Sequence, residues 1–178
     1  MDSEQSSLVQ AFTQKAEAVS AQVFWVSDTD QALHQVVQSC VHKQACTPLA
    51  TGCEENLSAA ATDLCTLKEW SKIMAVPGLE TPELDILIPE CQKQSIKLIQ
   101  EGLRQHLGGI DIGLTWAEYG IAETGTVVLD STLEDIRLAG MISEIHSVLL
   151  PASGLVPDTS ALNQVLGASF HNQPNYTS

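Results

Sequence analysis

Between residues 110 and 129 the chain reads IDIGLTWAEYGIAETGTVVL, and the polar residues there sit in a frame of strand formers and glycines. Glu118, Glu123, Thr124 and Thr126 supply carboxylates and hydroxyls, while Gly120 and Gly125 permit positive φ or the close approach of a ligand. A loop of this make-up presents N–H groups and hydroxyls to a bound carboxylate or phosphate oxygen. The competing reading is a tight turn whose threonine hydroxyls satisfy local backbone groups. Glu123 is the catalytic candidate, a general acid or base if buried and a hydrogen-bonding anchor otherwise. Thr115, Glu118, Thr124, Gly125, Thr126 and Arg137 are the candidates for binding substrate or cofactor.

Arg137 stands out by charge. After Arg104 it is the one Lys or Arg in the 74 residues that end the chain, a stretch holding eight Asp or Glu. A single cation near a glycine loop can hold an anionic substrate bidentately; the alternative is an ion pair with Glu134, Asp135 or another acid. Thr115 and Glu118 follow the first strand and line the same pocket, with Trp116 and Tyr119 as its walls. His146 lies in an apolar strand, where a histidine is more often a satisfied core residue than a base. No His/Asp/Glu spacing suits a metal, and no dinucleotide, phosphate-loop or nucleophile-elbow motif is present.

The elements that must position these groups follow from apolar spacing. Leu8, Val9, Phe12, Ala16 and Val19 predict an amphipathic helix over residues 6–21. Val23, Phe24, Trp25 and Val26 read as a short buried strand, followed by a helix capped at Ser27, Asp28 or Thr29 and carrying Leu33, Val36, Val37, Cys40 and Val41. Residues 58–74 read as helical. Ile96, Leu98, Ile99, Leu103 and Leu107 predict a helix ending at Gly108 and Gly109. Ile110, Ile112 and Leu114 alternate as a strand that Gly113 interrupts, and residues 126–129 form a second strand. Residues 133–143 then form a short helix or loop, 145–150 a strand stopped by Pro151, and 158–166 a closing helix capped by Asp158. Helices alternating with short strands predict an α/β fold with a mostly parallel sheet, whose ligand site lies beyond the carboxyl ends of the strands.

The whole composition narrows the partners. With 178 residues, 44% of them hydrophobic, the chain can form one domain with a real core. A formal charge of −14 argues against nucleic acid or an anionic membrane surface, which are bound through Lys and Arg. The start MDSEQSS has neither the basic residues nor the apolar run of a signal peptide, and no apolar stretch is long enough to span a bilayer, so the cytoplasm is the expected compartment. Cys40, Cys46, Cys53, Cys65 and Cys91 are odd in number and form no C-x-x-C pair, so a disulfide framework, a zinc ribbon or an iron–sulfur cluster on this chain alone is unsupported.

The run I-G-L-T-x-A-E-Y-G-I-A-E-T-G-T-V-V-L, followed by Arg137 and Leu138 and then by Ile145 and His146 in a strand ending at Pro151, resembles the LUD-domain family. Within it the similarity is to the lactate-utilisation protein C branch, the small member of a three-protein system that oxidises L-lactate to pyruvate. The A-E-T-G-T core at residues 122–126 is the most specific element, and the similarity is dense over residues 109–158.

The resemblance implies a single LUD domain over residues 1–178. Its fold would be a three-layer α/β/α, Rossmann-like sandwich related to the sugar-phosphate isomerase and coenzyme A transferase group. It further implies a small carboxylate or cofactor at the loop of residues 122–126, and partner proteins that carry iron–sulfur clusters, since no redox centre is evident in this chain. Two features depart from the family pattern. Met141, Ile142, Ser143 and Glu144 stand where a Pro-containing step usually precedes the strand histidine. The family's Gly-Pro-Ser-x-Thr-Ala-Asp-Ile-Glu segment is expected to be missing, because the chain ends at Ser178. Two other readings stay open: a stand-alone transferase, isomerase or ligase-like enzyme with Glu123 as the reacting carboxylate, and a regulatory subunit without chemistry.

Overall fold

The computed structural model describes residues 3–44, 71–106 and 109–171. Their order is α1 (Ser3–Ala18), α2 (Thr29–His42), β1 (Lys72–Ala75), α3 (Thr81–Lys93), β2 (Ile96–Ile99), β3 (Ile110–Trp116), β4 (Tyr119–Ile121), β5 (Thr126–Val128), α4 (Glu134–Ile142), β6 (Ser143–Leu149), β7 (Leu155–Val156) and α5 (Thr159–His171). Short 3-10 turns lie at Leu103–Gln105 and Ala152–Gly154. These residues group into two compact units. One draws on Trp25–Trp116 and Asp130–Leu149, the other on Met1–Phe24, Ala117–Leu129 and Leu150–Ser178.

The larger unit is a three-layer α/β/α sandwich around a four-stranded, fully parallel sheet in the order β2-β1-β3-β6. On one face α2 and α3 bury Leu33, Val37, Cys40, Leu87 and Cys91 against Met74, Ile112 and Leu114. On the other, Ala139, Leu138 and Ile142 of α4 pack with Ile73, Ala75 and Ile110. Neighbouring strands β1 and β3 thus have their helices on opposite faces, the arrangement that opens a crevice at the carboxyl ends of a doubly wound sheet. Gly113 stays inside β3 rather than interrupting it. A Cβ there would lie 2.3 Å from the Ala139 carbonyl oxygen, so the glycine is what lets α4 settle onto the sheet.

The amino end of this sheet is tied by charge. Asp111, wholly buried, accepts the Ile73 N–H at 2.8 Å and faces Lys43 Nζ at 3.3 Å, and Lys43 also pairs with Glu144. Lys72 donates to the Cys40 and Val41 carbonyls at 2.7 and 2.6 Å and to that of Lys43, closing the open end of α2. Asp28, one of the three caps that the sequence offers, closes the other end by accepting the Gln31 N–H at 2.9 Å.

The smaller unit has a three-stranded sheet in the order β5-β4-β7, with β4 antiparallel to β5 and parallel to β7. Phe12 and Ala16 of α1 pack with Ala122 and Leu155, and Leu162 of α5 packs with Ile121 and Val156. Asp158 caps α5 by accepting the Ala161 N–H at 2.8 Å. Helix α1 ends at Ala18, short of residue 21, because Ser20 turns to φ +71°.

Three further sequence expectations are corrected. Residues 21–26 form neither helix nor strand, and Phe24, Trp25 and Val26 are exposed rather than buried. Residues 96–107 are not a helix: Ile96–Ile99 is strand β2, followed by the turn at Leu103–Gln105, and the helix of this region lies earlier, in α3. The helix expected over residues 58–74 ends in strand β1 from Lys72, and its earlier part lies outside the described residues.

Candidate functional site

The loop of residues 122–125 is the turn of the β4–β5 hairpin, whose register pairs Tyr119 with Val128 and Ile121 with Thr126. Its N–H groups, offered to a ligand by the sequence pattern, are used within the fold. Gly125 and Thr124 donate to the Ile121 carbonyl at 2.8 and 3.3 Å, Ala122 to that of Val156 at 2.8 Å and Glu123 to that of Pro157 at 3.0 Å. The acceptors on Val156 and Pro157 come from a segment some thirty residues on, which local pattern does not reveal. Gly125 takes φ +70°, and a Cβ there would lie 2.5 Å from the Ala16 nitrogen, so this glycine admits α1.

What the loop turns outward is side chain. Glu123, Thr124 and Thr126 are all exposed, and Thr124 Oγ1 donates to Thr126 Oγ1 at 2.8 Å. One hydroxyl of the pair therefore keeps its proton for an external acceptor. Glu118 is exposed too, with its N–H on the Val128 carbonyl at 2.9 Å. Glu118, Glu123, Thr124, Gly125 and Thr126 thus share one unit, where carboxylates and a hydroxyl pair stand on a hydrogen-bonded hairpin end.

Thr115 and Arg137 belong to the parallel-sheet unit. Thr115 is fully buried and its Oγ1 lies 2.8 Å from His146 Nε2. Burial pushes the His146 imidazole below its ordinary value, favouring the neutral ring. Gly140 makes room for it, since a Cβ there would come within 3.1 Å of the ring. Arg137 is exposed on α4 and donates to the Ser131 carbonyl. The acids proposed as its partners are engaged elsewhere: Glu134 takes Arg104, and Asp135 accepts the Gly102 and Leu103 N–H groups, each at 2.9 Å. The hydrogen bond from Arg104 holds the Glu134 carboxyl below the usual range, with the charges of Arg104 and Arg137 adding to it.

Asp135 is a positioning residue that sequence reading missed, where it appeared only as a possible partner of Arg137. It fixes the segment after β2 next to an open cleft of about 530 Å³ lined by Val76, Gly78, Leu79, Leu98, Gln100 and Glu101. This cleft lies at the carboxyl ends of β1 and β2, where a parallel sheet places ligands. Asp111 was also passed over, although an acid between two buried isoleucines of a strand is itself a signal of a paired charge. Among the described residues no group of three or more His, Cys, Asp or Glu is placed to hold a metal ion, and no helix is long and apolar enough to cross a membrane.

The family model for the LUD domain matches residues 9–177. No curated protein and no solved structure matches the chain.

Proposed function

The chain belongs to the LUD domain family, which is associated with lactate utilisation, and from that premise we propose that it is the small subunit of a system oxidising L-lactate to pyruvate. The observation that carries the reading is the exposed trio Glu123, Thr124 and Thr126 on the hairpin end, inside the segment most specific to the family. The paired hydroxyls receive the substrate carboxylate, with the free hydroxyl proton donating to it. Lactate gives up two protons and two electrons in becoming pyruvate: Glu123, exposed in this chain and covered once the partner proteins dock, takes the hydroxyl proton, the Cα proton goes to a base of those partners, and the two electrons pass one at a time to their clusters. Electrons leave through iron–sulfur partner proteins, since the five cysteines of this chain lack cluster spacing. The cytoplasm is where such a complex would work.

The test is lactate oxidation by the chain reconstituted with its iron–sulfur partners. Changing Glu123 and Thr124 together to Ala is expected to lower turnover by about a hundredfold, the scale of losing a proton acceptor and an orienting contact. Unchanged oxidation by this double variant overturns the reading. Turnover of an acyl-coenzyme A substrate by the isolated chain would replace it with the stand-alone enzyme.

A further inference from the structure

The most hydrophobic short run near the start of the chain does not enter the core. Phe24, Trp25 and Val26 are 54%, 47% and 41% exposed in a segment without helix or strand. Exposed aromatic and aliphatic side chains in succession mark contact surfaces more often than solvent-facing loops. Val26 also forms one wall of an open groove of about 500 Å³ between α2 and α3 of the parallel-sheet unit, lined by Asp30, Gln31, His34, Gln35, Ile86 and Glu90.

The groove has a regular build. Asp30 and His34, and beside them Gln31 and Gln35, are i, i+4 rows on α2; Ile86 and Glu90 make the facing row on α3. His34 Nδ1 reaches Glu90 across the groove at 3.2 Å. The groove is thus apolar at Val26 and Ile86, amide-lined along one side, and flanked by the carboxylates of Asp30 and Glu90. Among the described residues no Lys or Arg lines it.

We propose that this groove docks a basic amphipathic helix of a partner protein, with Trp25 and Val26 as apolar anchors and Asp30 and Glu90 as acceptors for its Lys or Arg side chains. Charge complementarity sets the sign: the chain carries −14, so its field attracts a basic partner and the acids at the groove fix its register. Among the described residues a second copy of this chain supplies no such helix. Each described helix carries at most one Lys or Arg, as Lys15 in α1, Lys93 in α3 and Arg137 in α4. The surface and its ligand are independent of the lactate reading and would hold for any activity at the hairpin loop.

The probe is a Leu/Lys amphipathic helical peptide of about 15 residues, with its Leu/Glu counterpart as control, titrated against the full chain. Trp25 emission is read as the difference between wild type and Trp25→Phe. Binding of the Leu/Lys peptide with a blue-shifted Trp25 signal is expected. Affinity should fall by about tenfold or more in Asp30→Lys/Glu90→Lys and in Val26→Ser, and by less than about threefold in the charge-matched Glu17→Lys/Glu101→Lys. Equal losses in the two charge variants would reduce the effect to net charge and overturn the proposal. So would tight binding of the Leu/Glu peptide, no binding to wild type, or a concentration-dependent dimer that the groove variants abolish. Circular dichroism of each variant separates lost docking from lost folding.

Discussion

Thr115 Oγ1 and His146 Nε2 lie 2.8 Å apart, joining β3 to β6, an edge strand of the parallel sheet. Burial holds the imidazole below its ordinary value of 6.5. The unfolded chain therefore binds this proton more readily, so the contribution to stability is complete above that pH and is lost as pH falls through the lower folded value. Melting temperatures from about pH 8 to about pH 5 are expected to fall more steeply for wild type than for His146→Gln, which keeps a hydrogen-bonding group opposite Thr115. Parallel curves would show that His146 carries its charge state unchanged through folding.

The contact between β3 and α4 is set by one hydrogen atom. A Cβ on Gly113 would stand 2.3 Å from the Ala139 carbonyl oxygen and 2.6 Å from Ser143 Oγ, and the first of these is backbone that cannot rotate aside. Gly113→Ala is expected to cost about 2–3 kcal/mol in urea unfolding. Ser143 Oγ is buried with no hydrogen-bond partner among the described residues, so Ser143→Ala should be neutral or slightly stabilising. A cost above about 1 kcal/mol for the serine variant would reveal a partner for that hydroxyl.

The parts of this architecture that local rules specify were legible, and those set by distant chain were not. Asp28 ahead of Leu33, Val36, Val37 and Cys40 announces α2 because a cap and an apolar stripe are both short-range features. The alternation of Ile110, Ile112 and Leu114 announces β3 in the same way. Ile96, Leu98 and Ile99 misled because a four-residue strand packed on both faces has no alternation to display, and Leu103 completes a false helical spacing. The run from Val23 to Val26 misled by hydrophobicity alone: it reads as core, and three of its members face outward. At the loop, the residue types of Glu123, Thr124 and Thr126 were visible, but the use of its N–H groups depended on the carbonyls of Val156 and Pro157.

Asp111 is an acid wholly buried in the sheet. It accepts the Ile73 N–H and faces Lys43, whose side chain is only 10% exposed. Burial alone would lower the Lys43 pKa, but its hydrogen bonds to Glu144 and Asp111 and their charges outweigh this and leave it raised. The stabilisation is present below the ordinary lysine value of 10.5 and is lost as pH rises through the higher folded value. Asp111→Ala removes the acceptor of the Ile73 N–H and leaves Lys43 paired with Glu144, and is expected to cost about 1–3 kcal/mol in denaturant unfolding near neutral pH. Lys43→Met should flatten the alkaline limb of the stability curve, and an unchanged limb would remove Lys43 from the account.

Cys40 of α2 and Cys91 of α3 are buried in one core cluster. Burial, with smaller contributions from Cys40 and Glu90, pushes the Cys91 thiol up to about 12, so almost none is thiolate at physiological pH. Iodoacetamide at about pH 8 is expected to leave both unmodified in the native chain and to label both in urea, as peptide mass mapping would show. Rapid native labelling of Cys91 would mean that the α2–α3 layer opens readily.

Gly125 separates the structural from the chemical work of the hairpin loop. It is held at φ +70°, and a Cβ there would meet the backbone of Lys15 and Ala16, so Gly125→Ala both strains the turn and drives a methyl group to 2.5 Å from the Ala16 nitrogen. Helix α1 should loosen, and limited proteolysis should cut within Ser3–Ala18 several-fold faster than in wild type. Thr124→Val with Thr126→Val removes both outward hydroxyls while leaving the turn geometry alone. That double variant is expected to keep wild-type resistance to protease and to lose lactate oxidation in the reconstituted system, because only the substrate contact has been removed. If the valine variant is cut as fast as Gly125→Ala, the hydroxyl pair holds the hairpin together and the site must be sought at the carboxyl-end cleft beside Gln100 and Glu101.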